Sequence, residues 1–315
     1  MTFAEDQLNI TILGAGAMGS LFGGYLSRKN NVWLVDVNAD RVARINEHGI
    51  KIREKDGDVV FHPSAVTSTQ GLETMDLVVV FVKAMFTEQA LEANRHLIGK
   101  NTCLMTLQNG TGHEEKLLRF ADKRHVVIGS TQHNSSIIED GYVNHGGGGE
   151  TYIGVLEGDE SLAQPIADNM TSCGFPCSCS KNVKKQIWSK LFLNTAASSL
   201  TGILQVPLGF IFDDPNAHFL MEQLAREAVS VANAEGFASF DAAEVIEGIC
   251  DVLRNARDGY TSIYADIKSG AHSEVDTISG SVVEIAKRLG VEVPYHRMVV
   301  ALVHAMENKI QNQIN

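Results

Sequence analysis

Residues 9–19 read N-I-T-I-L-G-A-G-A-M-G. The apolar run predicts a β-strand, and the G-x-G-x-x-G spacing after it opens a helix over residues 18–29. In such a turn the first glycine permits a tight bend, the second lets backbone approach a pyrophosphate, and the third lets the helix pack on the strand. We therefore predict a dinucleotide-binding loop; a structural glycine turn is the alternative. The loop consists of Gly14, Ala15, Gly16, Ala17, Met18 and Gly19.

An acidic residue ends the next apolar run, Val32–Val35. A carboxylate at Asp36 can accept both ribose hydroxyls of an adenosine half, and it repels a 2′-phosphate. The sequence thus favours NAD as cofactor over NADP. Arg41 and Arg44 follow, and they could serve a phosphate if Asp36 points away.

Three further short apolar runs alternate with helical stretches: Leu77–Val82, Cys103–Leu107 and Val126–Ile128. Runs that are apolar throughout are typical of parallel strands covered on both faces. This rhythm predicts an α/β fold, a Rossmann-type doubly wound parallel sheet with right-handed crossovers. Residues Gly141–Gly154 are Gly-rich and alternating, which predicts hairpin strands at a sheet edge, with Gly146–Gly149 as a turn.

The second half favours helix by composition. Prolines fall where these helices should begin or end. We therefore predict a dinucleotide-binding Rossmann domain over residues 1–181 and an all-helical second domain, for substrate and dimerisation, over residues 182–315. The predicted helices are Val183–Leu204, Ala217–Gly236, Ala242–Arg257, Ser281–Leu289 and Met298–Ile310.

Composition limits the partners. The 315 residues carry a formal charge of −12, so neither nucleic acid nor an anionic membrane is expected as main partner. The longest apolar runs are far short of the roughly 20 residues that span a membrane, and the N-terminus lacks a signal-peptide pattern, so we expect a cytoplasmic protein. The cluster Cys173, Cys177 and Cys179 does not have zinc-site spacing, and we expect reduced structural thiols and no metal.

Two polar residues follow strand-like runs. Lys83 comes after Leu77–Val82, and Asn109 comes after Cys103–Leu107. In open parallel sheets ligands bind beyond the carboxyl ends of the strands, so both side chains are expected to face a nicotinamide. A surface lysine and an ordinary Asn-Gly turn are the alternative.

A third candidate lies on the first helix of the second half. Apolar residues cover nearly every side of this helix, which indicates that it is buried. Lys190, Asn194 and Ser198 follow at i, i+4 and i+8 and form one polar stripe. Burial lowers a lysine pKa and suits it to proton donation. A snorkelling surface lysine is the alternative.

The last candidate segment contains Ser262, Gly270, Ser273 and Glu274. Gly270 is typical of a helix end, and Ser273 of an N-cap. Glu274 is then expected in the first helical turn, where the helix dipole favours the ionised carboxylate. A solvated helix start is the alternative.

Together these features resemble the ketopantoate reductase family of two-domain 2-oxo-acid reductases, over essentially the whole chain. The motifs are the glycine loop, Lys83-Ala84, Asn109-Gly110, His145 with its glycines before Thr151-Tyr152-Ile153-Gly154, Trp188-Ser189-Lys190-Leu191 with Asn194, and Ser262 with Asp266, Glu274 and Asp276.

The resemblance implies a catalytic pair. Lys190 resembles the lysine that protonates the substrate carbonyl as hydride arrives from the nicotinamide. Glu274 resembles the acidic active-site residue that helps to hold substrate and lysine. Lys83 and Asn109 resemble the residues near the nicotinamide, with Asn109 also near the substrate.

It also implies substrate-binding residues. Ser262 resembles the family's substrate-binding serine, and Asn194 one of its two substrate-binding asparagines. The second asparagine falls at Ser198, a shorter side chain. We further expect a homodimer formed through the helical domain.

Ser198 and Asp36 depart from the founding members, which use NADPH. Relatives of this fold include NAD-dependent D-2-hydroxyacid dehydrogenases, among them D-mandelate dehydrogenases, and the sequence looks closer to these. We expect an NAD-dependent oxidoreductase that interconverts branched or aromatic 2-oxo acids and D-2-hydroxy acids. The alternative is a ketopantoate reductase that makes D-pantoate with NADPH.

Two other classes share the glycine loop. A non-catalytic dinucleotide sensor has no use for Lys190 together with Glu274. A β-hydroxyacid dehydrogenase also places a lysine on a long buried helix, so the segment from Ser262 to Glu274 discriminates better there.

Overall fold

The computed structural model describes residues 7–157 and 160–314, and these form two units. One unit contains residues up to 108 and 113–183; the other contains 109–112 and the residues from 184 onward. The prediction placed Asn109–Gly112 in the first domain. The segment groups with the second unit because Gly110 packs directly on the backbone of Thr277.

Eight strands of the first unit form one sheet, in the order β12-β11-β8-β7-β6-β1-β2-β5. Only the β11–β8 pair within this sheet is antiparallel, so the predicted doubly wound α/β sheet is confirmed. All residues of β6 and β7 are buried, as expected for largely apolar strands, and the one polar residue among them, Thr106, donates from its hydroxyl to Oε1 of Gln108. These strands are β1 (Asn9–Leu13), β2 (Asn31–Val35), β5 (Ser64–Val66), β6 (Leu77–Val80), β7 (Cys103–Thr106), β8 (Val126–Thr131), β11 (Thr151–Val155) and β12 (Cys177–Cys179).

The strand order reverses beside β1, which has β2 on one side and β6 on the other. The chain leaves β1 toward β2, whereas later strands continue outward from β6. A reversal of this kind opens a crevice at the carboxyl ends of the strands, where α/β proteins bind ligands. The glycine loop follows β1 directly and therefore lies at this point.

A second sheet was not predicted. It has the order β4-β3-β10-β9, with strands β3 (Ile50–Glu54), β4 (Gly57–Phe61), β9 (Asn134–Glu139) and β10 (Tyr142–Gly147). The predicted hairpin over Gly141–Gly154 is wrong, because β10 pairs with β9 and β3 while β11 pairs with β8 and β12. Alternation in the sequence indicated strands correctly, but it carries no information about their partners.

Within residues 7–157 and 160–183 the first unit has five α-helices: α1 (Ala17–Leu26), α2 (Ala39–His48), α3 (Thr87–Ala93), α4 (Glu114–Leu117) and α5 (Ala163–Ser172). Helix α1 is the predicted crossover helix. Its buried face includes Leu21, Phe22 and Leu26, which join the strand residues of the core.

The described part of the second unit is helical, as predicted. Its helices are α6 (Val183–Leu193), α7 (Ser199–Leu204), α8 (Leu208–Asp213), α9 (Pro215–Ala234), α10 (Ala242–Asn255), α11 (Ser262–Ser269), α12 (Ser279–Leu289) and α13 (Pro294–Ile314). A π-helical turn over Asn194–Ser198 joins α6 to α7, so helix runs without a break over the predicted range Val183–Leu204.

One local prediction in this unit is wrong. Gly270 ends α11 in the left-handed conformation, as predicted, but Ser273 does not cap a helix. Its backbone N–H and its hydroxyl both donate to Oε1 of Glu307, and α12 begins only at Ser279. Glu274 therefore lies in a turn, where its backbone carbonyl accepts the N–H groups of Thr277 and Ile278.

Across the described residues we find no helix long and apolar enough to cross a membrane. Within the same ranges no group of three or more His, Cys, Asp or Glu side chains is arranged to hold a metal ion. Burial raises the pKa of the Cys177 thiol to about 12, which keeps it protonated and inert.

Candidate active site

The glycine loop has the backbone geometry that its sequence predicts. Gly14 has φ of +103°, and a Cβ there would lie 2.8 Å from the Val82 nitrogen. A Cβ on Gly19 would lie 1.8 Å from the Gly14 carbonyl oxygen. Both positions therefore require glycine, the first for the turn and the second for close packing of α1 on β1.

Gly16 has a different role. A Cβ built on it would meet no described atom within 4 Å, so the space above its backbone is open. Gly16 is the N-cap residue of α1, and within the described chain no side chain caps this helix end. The N–H groups of the first helical turn, which includes Ala17 and Met18, lie at the positive end of the α1 dipole. This arrangement fits the pyrophosphate of a dinucleotide.

Asp36 follows β2 and is fixed by hydrogen bonds. Its Oδ2 accepts the Ala15 N–H at 2.9 Å, and its Oδ1 accepts the Asn38 N–H at 2.9 Å. Arg41 donates to Oδ2 at 3.0 Å and to Asp140 at 2.7 Å. The carboxylate therefore points back toward the glycine loop and not away from it.

The basic residues after Asp36 are engaged by carboxylates. Arg41 lies between Asp36 and Asp140, and these two partners raise the pKa of its guanidinium against the opposing effect of burial. Arg44 pairs with Glu139 at 2.7 Å. Both arginines thus pair with acidic side chains in the described structure, which argues against the alternative that they bind a phosphate.

Lys83 and Asn109 lie in different units. Lys83 precedes a short 3₁₀ turn, Ala84–Phe86, in the first unit and is partly buried. Gln108, which the sequence analysis missed, is also in the first unit and is buried. It donates from Nε2 to the Val82 carbonyl at 2.5 Å and to Thr87 at 3.1 Å. No spacing or composition signal marks this glutamine.

Lys190 and Asn109 meet in the second unit. The Nζ of Lys190 donates to Oδ1 of Asn109 at 3.0 Å. Burial lowers the pKa of Lys190 to about 8, against the opposing effect of the Glu274 carboxylate. The structure therefore brings together three of the predicted site residues, and it makes Lys190 an ammonium that can release its proton near neutral pH.

Gly110 explains why Asn109 lies at this position. It has φ of +97°, and a Cβ there would lie 1.7 Å from the Thr277 carbonyl oxygen. The next N–H, of Thr111, donates to the same oxygen at 3.3 Å. Since Thr277 closes the turn that begins at Glu274, one backbone contact holds the Asn109 segment against the Glu274 turn.

The polar stripe passes through the π turn. In an α-helix each residue advances about 100°, so positions four apart overshoot one full turn by roughly 40°. A π turn contains more residues per turn, so the step from Asn194 to Ser198 advances less and offsets that overshoot, which keeps Ser198 closer to the line of Lys190. Ser198 is buried and Asn194 is partly buried. Periodicity does not predict a π turn.

Ser262 lies at the exposed start of α11. The N-cap residue Thr261 places its Oγ1 2.7 Å from Oγ1 of Thr201, and Thr201 donates to the Ser198 carbonyl at 3.0 Å. Gly202 lets α7 and α11 approach, since a Cβ there would lie 2.6 Å from the Ile263 side chain. The start of α11 is thus tied to the end of the π turn.

Fold and site define a two-unit, dinucleotide-dependent oxidoreductase, with a glycine loop after β1 in one unit and a desolvated lysine in the other. The comparisons with known proteins give the particular family. The chain matches the family Ketopantoate reductase PanE/ApbA over residues 10–158 and its C-terminal part over residues 182–307. It belongs to the ketopantoate reductase family, as predicted, and is an NAD(P)-dependent oxidoreductase.

Individual relatives cover nearly the whole chain. The 2-dehydropantoate 2-reductase of Halobacterium salinarum is 30% identical over 94% of this chain and 98% of its own length. The corresponding protein of Pyrococcus abyssi is 32% identical over 95% and 98%. Among solved structures, D-mandelate dehydrogenase with NADH and anilino(oxo)acetate superposes with a TM-score of 0.90, at 31% identity over 96% of this chain and 99% of that one.

Proposed function

We propose that the protein reduces the keto group of a 2-oxo acid to a D-2-hydroxy acid, with ketopantoate as the first candidate substrate. The proposal rests on the Lys190 ammonium, which donates a hydrogen bond to Asn109 and whose protonated form is favoured by the Glu274 carboxylate. The choice of ketopantoate rests on the relatives from Halobacterium salinarum and Pyrococcus abyssi, both named 2-dehydropantoate 2-reductase. The D configuration rests on the family resemblance.

The glycine loop and Asp36 would hold the dinucleotide, whose reduced nicotinamide supplies hydride to the keto carbon when bound. Lys190 stabilises the negative charge that develops on the keto oxygen and then gives its proton to that oxygen. Asn109 orients the ammonium through the 3.0 Å hydrogen bond, and Glu274 favours its protonated form.

The remaining predicted residues would bind the acid. Ser262 offers a hydroxyl at a helix N-terminus, where the dipole favours a carboxylate. Asn194 and Ser198 lie on the stripe that continues from Lys190 and would contact the substrate side chain. We assign the 2-oxo acid end to Ser262 and Lys190.

We also propose that NADH is preferred over NADPH. The Asp36 carboxylate is held toward the glycine loop by the Ala15 N–H, which fits ribose hydroxyls and repels a 2′-phosphate. Arg41 lies in a bridge between two carboxylates. The structure of D-mandelate dehydrogenase that resembles this chain contains NADH.

A second candidate substrate class is branched or aromatic 2-oxo acids. Ser198 favours it, because a shorter side chain at the second asparagine position reduces the polar reach toward a substrate hydroxyl. The D-mandelate dehydrogenase likeness, at 31% identity, supports the same class.

A steady-state screen tests both proposals. The purified protein is assayed with ketopantoate, trimethylpyruvate, 2-oxoisovalerate and benzoylformate, each with NADH and with NADPH, and products are analysed by chiral chromatography. A kcat/KM for ketopantoate at least 100-fold above those for the other acids supports ketopantoate as substrate and excludes the branched or aromatic 2-oxo acids. Turnover of none of these acids, or an L product, would overturn the proposed function.

A further inference from the structure

The helical core of the second unit contains a buried polar network that the proposed reaction does not use. His296, Thr195, Ser279 and Ser199 all have 0% exposure. Polar groups in a core cost free energy unless every one of them is satisfied, so a network of this size calls for an explanation.

Glu227 anchors one end of the network. Its carboxylate accepts the backbone N–H groups of Tyr295 and His296, and its Oε2 lies 2.7 Å from Nδ1 of His296. Burial lowers the pKa of His296, although the Glu227 carboxylate opposes this. The carboxylate holds a proton on Nδ1 and so fixes the orientation of the ring, with Nε2 facing Thr195.

Thr195 is the branching point. Its Oγ1 lies 2.8 Å from Nε2 of His296 and 3.1 Å from Oγ of Ser279. The Oγ of Ser279 lies a further 2.9 Å from Oγ of Ser199. Thr195 is the second residue of the π turn, and Ser199 directly follows that turn.

The network therefore contacts both ends of the π turn, which is an energetically unfavourable element. A π turn replaces i→i+4 hydrogen bonds by i→i+5 bonds; it is rare, and it occurs frequently at functional sites. Side-chain bonds at both ends of the turn supply the tertiary support that local propensity does not. At its other end the network holds Ser279, the first residue of α12, just after the turn that contains Glu274.

We propose that Thr195 is a positioning residue. Its hydroxyl, held by His296 and Ser279, fixes the π turn that presents Asn194 and Ser198. Through the same bond to Ser279 it fixes the Glu274 turn relative to the π turn. The inference rests on the proposed function for the roles of Asn194, Ser198 and Glu274.

The test uses Thr195→Val, which keeps the side-chain shape and removes the hydroxyl, beside Thr195→Ser, which keeps the hydroxyl. The first readout is the pKa of Lys190 in the protein without ligands, followed by NMR of its Cε and Nζ and assigned with Lys190→Arg. If the Glu274 turn shifts, the Glu274 carboxylate stabilises the Lys190 ammonium less, so the Lys190 pKa should fall by about 0.5 unit or more. Thr195→Ser should restore it.

The second readout is kinetic. Thr195→Val should lower kcat for the best 2-oxo acid by about 10-fold while KM for the dinucleotide changes little, as expected for lost positioning. The matched control is Ile249→Val, a buried substitution in α10 of the same core. It should lower Tm without moving the Lys190 pKa.

Each outcome decides the inference. An unchanged Lys190 pKa in folded Thr195→Val, or an equal shift in Ile249→Val, would overturn it. If Thr195→Val does not fold, Ser279→Ala carries the test with the same expected direction and the same overturning result. If the wild type reduces no 2-oxo acid, the proposed function fails, yet the Lys190 titration still decides whether Thr195 positions the site.

Discussion

The Lys190 ammonium donates a 3.0 Å hydrogen bond to the side-chain oxygen of Asn109, a residue 81 positions earlier in the chain. A desolvated ammonium has lost much of its hydration, so each polar partner has a large effect on its proton affinity. Asn109 can accept this bond because Gly110, which has no side chain, lets the chain at Asn109 and Gly110 pack closely on the backbone of Thr277. The conformation of one glycine thus affects the protonation chemistry of a lysine.

Removal of the lysine should disable the chemical step. Lys190→Ala is expected to reduce kcat by about 10² to 10⁴, the usual contribution of a positioned general acid. Dinucleotide affinity, measured by fluorescence titration, should change little because the glycine loop lies in the other unit. Lys185→Ala, an exposed lysine on the same helix, should keep wild-type kcat. A near-normal kcat for Lys190→Ala would refute the catalytic assignment.

The pH profile should report the same lysine. With a Lys190 pKa of about 8, kcat/KM for reduction should fall as pH rises through this value, since the proton donor is lost. The reverse oxidation needs the neutral amine and should rise through the same range. Asn109→Asp should move both transitions to higher pH, because a second carboxylate favours the ammonium. Profiles identical to wild type in Asn109→Asp would contradict this account.

The sequence predicted the strands of the central sheet well, because β1, β6 and β7 are covered on both faces and are mostly apolar, with the threonines Thr11 and Thr106 as buried exceptions. It predicted the glycine loop because backbone conformation there excludes other residues. It could not predict the partners of β10, which depend on contacts distant in sequence.

Site geometry was predicted less completely. The long helix from Val183 to Leu204 has the predicted ends, but its π turn depends on tertiary bonds to Ser279 and His296. Ser273 is of the residue type that caps helices, and its hydroxyl accepts the Val275 N–H at 3.4 Å while donating to Glu307, 34 residues away. The cap-like bond is therefore formed, but a turn follows it and α12 begins only at Ser279.

Cofactor preference can be tested at Asp36. Asp36→Ala should raise kcat/KM with NADPH and lower it with NADH, because it removes both the repulsion of a 2′-phosphate and the acceptor for ribose hydroxyls. Asp40→Ala, an exposed carboxylate in the first turn of α2, serves as control and should leave the ratio unchanged. A wild-type enzyme with equal kcat/KM for the two dinucleotides would show that the preference is absent.

Acid should destabilise the first unit through His133. Its Nδ1 lies 2.9 Å from Nε2 of His145, which is bonded in turn to Glu54. Burial and the neighbouring His145 lower the pKa of His133 to about 4.

Between about pH 6.5 and 4 the unfolded chain binds a proton at His133 that the folded protein does not, so the free energy of unfolding falls as pH falls, by up to about 3 kcal/mol. Urea denaturation at pH 7.5 and 5 should show a smaller loss in His133→Gln than in wild type. His48→Gln, an exposed histidine, should keep the wild-type loss. An equal loss in His133→Gln and wild type would rule this out.

The last prediction concerns substrate choice at Ser198, which is buried at the end of the π turn. Ketopantoate differs from trimethylpyruvate only by its 4-hydroxyl, so the ratio of kcat/KM for these two acids measures recognition of that group. A site that hydrogen-bonds a substrate hydroxyl rejects the analogue without it strongly, whereas an apolar pocket discriminates weakly. Ser198→Asn lengthens the side chain and adds a donor, so it should raise the ratio by about 10-fold or more, in line with the roughly 1–3 kcal/mol of one buried polar partner. Ser189→Asn, on the exposed side of α6, should leave the ratio unchanged. If Ser198→Asn folds with a wild-type Tm and the ratio does not move, Ser198 has no part in reading the hydroxyl, and substrate choice must be decided elsewhere in the site.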